Sequence, residues 1–332
     1  MGALRVVLAA GWLSIWASTA EAGTQVRFGA FIIPGSPADV LFQDFADTVA
    51  AADVGLDLKL FIRGEVGPEQ QVLSSLRRGR LQMATVSSIT LAGVVPELGL
   101  IESPFLFASI DEAHFVVETE LLPLIELKLL EKGLTLVRWL DLGMLGLFAK
   151  TPILTPDDMR GRRMRVSPSL ASKYFFAAVQ ADSIFMSATE IVQGLQTNLV
   201  SGAENFIITY VGTGMELEAP HFTVTDHSYV TAQVLANRAW IEALPAPQRS
   251  VILSAFPGRE ATDRVGREMA ERRAADGARA GVTFHELDAD QRRVWTDSVV
   301  GVTDTIAAEV GGDAARFVAA IERGILRYRA GQ

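Results

Sequence analysis

The first hundred residues switch repeatedly between a two-residue and a three-to-four-residue apolar period. Val26 to Ile33 is an apolar run that predicts a strand, and Leu41 to Ala52 predicts a helix with Phe42, Phe45, Ala46 and Val49 on one face. Leu56 to Ile62 alternates apolar with polar residues, as a half-buried strand does. A Gly/Pro turn at Gly64 to Pro68 leads into a helix over Glu69 to Arg78, stopped by Gly79. Met83 to Ser87 is a short apolar strand. This β-α-β-α-β order predicts a mainly parallel sheet covered by helices.

A second α/β unit begins near Leu134. Leu134 to Leu140, Gly146 to Lys150 and Arg163 to Val166 read as strands, and Ser169 to Gln180 as a helix. Ser187 and Glu190 have the spacing of a capping box and open a helix that runs to about Thr197. Glu204 and Asn205 lie just past the start of another strand, and Thr231 to Ala236 is strand-like again. From Pro247 onward the pattern is mostly helical, with an Arg/Glu/Ala-rich stretch over Ala261 to Gly281. There is no internal repeat and no low-complexity linker. Two α/β units without a linker predict two lobes joined by several crossings, with a cleft between them at strand carboxyl ends.

Composition narrows the function. The N-terminus has a basic start at Arg5, an apolar run from Val6 to Ala17 and a small-x-small site at Ala20-Glu21-Ala22. That order predicts a signal peptide cleaved after Ala22. The run is too short to span a bilayer and is interrupted by Gly11 and Ser14. With no cysteine among 332 residues, disulfides, thiolate metal sites and a lipid anchor on an N-terminal cysteine are excluded. The net charge of -9 is unchanged when Arg5 (+1) and Glu21 (-1) leave together, and it argues against nucleic acid as a partner. His114, His221, His227 and His285 are scattered without metal-ligand spacing. His227 adjoins Asp226, but neighbours on a strand point to opposite faces and form no dyad. No nucleophile elbow or phosphate loop is present. The sequence predicts neither an enzyme nor a bound cofactor or metal.

In so acidic a chain an anion site must be a local positive feature. Arg165 ends the short strand Arg163-Met164-Arg165-Val166, and its planar fork of donors matches a carboxylate bidentately. A strand-end arginine is by default a surface residue, Asn205 by default a turn residue, and Arg162 and Arg163 read as solvated. Glu204 reads either as a buried structural carboxylate or as a ligand contact.

These segments together resemble the solute-binding proteins of TRAP transporters, the DctP-type family. The resemblance is carried by Thr155-Pro156-Asp157-Asp158-Met159-Arg160-Gly161 with Arg163 to Val166, by Gly64 to Glu69 with Val72 to Gly79, and by Met83 to Ser88. Pro96 to Gly99, Ser103 to Phe107, Glu190, Leu195 to Thr197, Val200 to Asn205, His227, Trp240 and Leu244-Pro245 continue it in order. No single piece is specific; the ordered set is. It implies a two-lobed periplasmic binding protein fold with a hinge and a long helix crossing both lobes. Residues 23–142 with about 231–270 would form the first lobe, and 143–230 with about 271–332 the second. It implies that Arg165 binds a ligand carboxylate, that Asn205 hydrogen-bonds it, and that Ser87 or Ser88 closes from the other lobe. It also implies a monomer in the periplasm that delivers an organic acid to a small and a large integral membrane subunit.

Three departures bear on the ligand. Leu145 stands where many relatives carry a second basic or polar group, and Ala203 and Phe206 replace polar residues around Asn205. Burying a second ligand charge beside them would be costly. The expected ligand is therefore a monocarboxylate with an apolar or aromatic body, ahead of a C4-dicarboxylate or a sialic acid. Two other functions use the same residues: a periplasmic sensor feeding a signalling receptor, and an exported enzyme with Glu204 as its base.

Overall fold

Nine strands form one mixed sheet in the computed structural model, which describes residues 23–32 and 36–331. The expected signal peptide and the Ile33-Pro34-Gly35 turn lie outside the described residues. The strands are β1 (Thr24–Gly29), β2 (Leu56–Phe61), β3 (Met83–Ser87), β4 (Leu134–Ala149), β5 (Arg163–Val166), β6 (Asp182–Phe185), β7 (Gly202–Asn205), β8 (His221–Asn237) and β9 (Thr283–Glu286). Their order is β2-β1-β3-β8-β4-β7-β5-β6, with β9 beside β8.

The expectation of a mainly parallel sheet holds at the two flanks and fails in the middle. β2-β1-β3 and β7-β5-β6 are parallel, each built from strand-helix-strand crossovers. Between them β3-β8, β8-β4 and β4-β7 are antiparallel. The two apolar runs expected as separate strands at Leu134 and Gly146 are one strand of 16 residues. Register shifts between Leu136 and Arg138, Asp141 and Gly143, and Leu145 and Leu147 interrupt the alternation without breaking the strand. Likewise Thr231 to Ala236 is the C-terminal part of the 17-residue β8. The short β9 was not expected; its pairing with His221 to Val224 is non-local.

β4 and β8 thus serve both halves. β8 pairs with β3 through Ala232 to Ala236 and with β9 through its first residues, while β4 pairs with β7 through Gly146 to Ala149. One apolar core lies under the first half around Phe28, Phe42, Phe45 and Phe256, and another under the second around Phe148, Tyr210 and Phe222. The largest core, including Leu147, Phe175, Trp295 and Phe317, holds residues of both halves. The Arg/Glu/Ala-rich stretch is the helix Arg259–Ala280, stopped by Gly281 at φ 71°. At 1.5 Å per residue it is about 33 Å long, and it packs on the helix Pro37–Ala51 of the first half and on Ile207–Gly212 of the second. No helix among the described residues is long and apolar enough to cross a membrane.

β4 and β7 approach too closely for a side chain at Gly202, where a Cβ would lie 2.3 Å from the Phe148 carbonyl oxygen. Backbone cannot yield as a side chain does. Gly202→Ala is expected to destabilise by about 1–3 kcal/mol in urea unfolding; an unchanged midpoint would contradict this packing.

Candidate functional site

Arg165 is positioned by the turn before it. Thr155 caps the short 3-10 helix Pro156–Met159, and Asp158 accepts the Leu154 and Thr155 amides at 2.8 and 2.9 Å. Gly161, at φ 66°, reverses the chain into β5. There Arg165 pairs with Ile184 of β6 and Ala203 of β7. Its side chain is 6 % exposed, and Nε donates to the Met186 carbonyl at 3.0 Å. Among the described residues the terminal nitrogens of this guanidinium make no hydrogen bond. Burial pulls its pKa down and the nearby Glu204 pulls the other way; an arginine stays charged throughout.

Asn205 ends β7. Its Oδ1 accepts the Phe206 amide at 2.9 Å and its Nδ2 lies 3.9 Å from Met215 Sδ. Phe206 is half-buried at the start of the helix Ile207–Gly212. Side chains alternate along a strand, and register partners share a face. Arg165, Ala203 and Asn205 therefore belong to one face of the sheet.

Glu204 and Leu145 belong to the other face, because Leu147 pairs with Glu204 and Leu145 lies two residues before it. Glu204 is enclosed: Ser167 Oγ donates to Oε1 at 2.6 Å, Ser172 Oγ donates to the same oxygen, and His227 Nε2 lies 3.2 Å from Oε2. Burial alone would raise the Glu204 carboxyl, but the His227, Ser167 and Ser172 contacts outweigh it and hold it below its ordinary value. His227 is itself fixed by Thr225 Oγ1 at 2.7 Å and by the Phe175 ring, stacked 4.3 Å away. Leu145, Glu204 and His227 share a cavity of about 10 Å³.

Ser87 and Ser88 lie in the first half and have partners of their own. Ser87 donates to Glu69 at 2.5 Å and caps the helix Ser88–Leu91. Ser88 is almost wholly buried and accepts the Thr231 amide at 3.2 Å. Neither hydroxyl bonds to Arg165 or Asn205 among the described residues. Ser187 and Glu190 form the expected capping box.

Sequence reasoning missed the partner of His227, which is Glu204 and not the adjacent Asp226. Between Leu145 and Leu147 of β4, β8 advances from Ser228 to Thr223, and Asp226 in this excess takes φ 45°. No local pattern signals that detour. A grouping of His114, Asp141 and Asp263, with ligand-type atoms within 4.8 Å, was also not visible in the spacing. These groups border a cavity of about 190 Å³ that also has Arg138 and Arg259 in its wall. His114 bonds Asp141 at 2.6 Å and Arg259 lies 3.3 Å from Asp263, so the carboxylates are paired without a metal.

Residues 29–309 match the family described as bacterial extracellular solute-binding protein, family 7, DctP. The chain is 27% identical over 296 residues to the C4-dicarboxylate-binding periplasmic protein DctP of Rhodobacter capsulatus, covering 87% of this chain and 88% of the relative. Its fold matches the sugar acid binding protein of Advenella mimigardefordensis in complex with galactonate at a TM-score of 0.84, with 24% identity and coverage of 91% and 99%. It also matches a TRAP periplasmic solute binding protein from Desulfovibrio salexigens with bound orotic acid, at 0.84, 20% identity and coverage of 91% and 99%.

Removing the Glu204 carboxylate would take the partner from His227 Nε2 and the acceptor from the Ser167 and Ser172 hydroxyl protons in the interior. Glu204→Ala is expected to cost about 3–5 kcal/mol in urea unfolding at neutral pH. Because the folded pKa is depressed, the contribution exists above the ordinary carboxylate range and is lost as pH falls through the folded value. Parent and variant stabilities should therefore converge in acid; a constant gap would contradict the pairing.

Proposed function

Since the chain belongs to family 7 of the bacterial extracellular solute-binding proteins, we propose that it is an exported receptor that captures an organic acid by its carboxylate. The observation that carries this reading is Arg165: among the described residues its buried guanidinium is tied through Nε alone, which leaves two terminal nitrogens to form a fork. A charge out of water requires an opposite partner, and a carboxylate meets that fork bidentately. Asn205, on the same face, would orient the ligand through its amide. Ser87 and Ser88 would approach from the other lobe, and Phe206 would border the ligand body.

The residue groups 23–142 with about 231–270, and 143–230 with about 271–332, would act as the two lobes. β4 and β8 would be the hinge about which they close. Closure excludes water, so the arginine–carboxylate attraction strengthens in a lower dielectric. The receptor would act as a monomer and pass its ligand to a small and a large integral membrane subunit. Glu204, enclosed by its own partners at 2 % exposure, is better suited to holding the site together than to acting as a base or touching the ligand.

For the ligand body the supports are unequal. Leu145 lies on the opposite face and Ala203 is fully buried in the core, so neither argues for an apolar body. Phe206 still does. The galactonate, orotic acid and C4-dicarboxylates named for the similar proteins have bodies of very different polarity and share the carboxylate. We retain a monocarboxylate beside Phe206 as the finer reading, with sugar acids as its main competitors.

The test is thermal unfolding of the mature protein with apolar monocarboxylates, sugar acids and C4-dicarboxylates, with Arg165→Ala in parallel. A ligand at 100 times its dissociation constant should stabilise the parent by about 2.7 kcal/mol and leave the variant unmoved. A variant that responds as the parent does would remove Arg165 as the anchor. Stabilisation by succinate or malate, and by no apolar acid, would overturn the finer reading.

A further inference from the structure

A second interior carboxyl is not used by the acid-capture reading. Glu102 lies in the turn after the 3-10 helix Pro96–Leu100 and is 1 % exposed. Its backbone is pinned to β8: Ser228 Oγ donates to the Glu102 carbonyl at 2.8 Å, and the Phe105 amide donates to the His227 carbonyl at 2.7 Å. Yet among the described residues neither carboxyl oxygen has a hydrogen-bond partner. Glu102 belongs to the wall of the cavity of about 10 Å³, together with Ser167, Ser169, Ser172, Glu204 and His227. That volume suits a single water molecule, which needs two to four polar partners.

The other polar groups of this wall are engaged. Glu204 has His227 and two serines, and Ser169 caps the helix Leu170–Ala178 by accepting the Ser172 amide at 3.1 Å. The titratable groups facing Glu102 are Glu204 from β7 and His227 from β8. The helix Leu170–Ala178, the helix Ser88–Leu91 and the turn before Leu170 present serines. A lone carboxylate in such a place, beside a second one already ionised, has nothing to balance its charge.

We propose that this cavity is a proton-binding site, in which Glu102 is a neutral carboxylic acid whose hydrogen bond passes through one enclosed water to the surrounding serine hydroxyls. The electrostatics agree with the geometry. Burial is the main influence on Glu102; the hydroxyls of Ser88 and Ser169 oppose it and Glu204 adds to it, and the carboxyl is pushed up to about 8. Glu102 comes from the first half of the chain, while Ser167, Ser169, Ser172 and Glu204 come from the second. The packing of the two halves at this point therefore takes up a proton. This inference does not depend on the acid-binding reading and is tested without ligand.

The sign follows from linkage. A folded pKa raised from the ordinary 4.5 to about 8 contributes stability fully present below 4.5 and lost as pH rises through about 8. Urea unfolding of the parent and Glu102→Gln is compared from pH 5 to 9, in sodium chloride and in choline chloride. Relative to the variant, the unfolding constant of the parent should rise about tenfold per pH unit up to roughly pH 8, then level off, equally in both salts. Carbon NMR of the parent, labelled at glutamate carboxyls, should show one carboxyl titrating near pH 8, a readout that survives if the variant does not fold. Parallel pH profiles, or no glutamate carboxyl titrating above the ordinary range, would overturn the proposal. So would a slope seen only in choline chloride, which would assign the site to sodium.

Discussion

The antiparallel pairing of β4 with β8 is the constraint on which the other parts depend. Each half of the sheet is a small parallel unit that cannot bury both of its faces alone, and each hangs on these two long strands. The pairing sets the registers of β3 and β7, and through β7 those of β5 and β6. Arg165 and Asn205 share a face because of that chain of registers. The detour of β8 between Thr223 and Ser228 belongs to the same constraint. It carries His227 to Glu204, 23 residues away in sequence, and delivers the Ser228 hydroxyl to Glu102.

Around this scaffold the protein handles buried charge in three ways. Glu204 is satisfied by a histidine and two serines and stays ionised. Arg165 keeps one tie to the backbone and, among the described residues, its terminal nitrogens make no hydrogen bond. Glu102 is almost wholly buried and has no hydrogen-bond partner among the described residues, so a proton compensates it best. Glu204 acts electrostatically on both of the others, yet each of the three groups meets a different demand because its immediate neighbours differ. A net charge of -9 over the whole chain decides none of this; burial and contact do, since low local dielectric magnifies near partners over distant ones.

Much of the fold was legible because the signals are local. Alternation marked Leu56 to Phe61, apolar periodicity marked the helix carrying Phe42 and Phe45, and Ser187 with Glu190 announced their cap. The errors fall where pairing is non-local. Two expected strands became the single β4, since a register shift preserves extension while disturbing the pattern that reveals it. β9 has four residues and exists only because β8 lies beside it. The flanks are parallel as expected, but the antiparallel centre comes from chain returns that no crossover motif predicts.

For the site the division is similar. The sequence by itself determined the chemistry on offer: a guanidinium at the end of a short strand, an asparagine at the end of another, no cysteine, and an ordered set of motifs that points to one family. Only the tertiary structure decided which of these groups face each other. It separated Leu145 and Glu204 from Arg165 and Asn205, joined His227 to Glu204, and enclosed Glu102 among serines. The physical reason is that a strand's period of two assigns its residues to faces only once register is known. Register here is set by contacts between segments tens of residues apart.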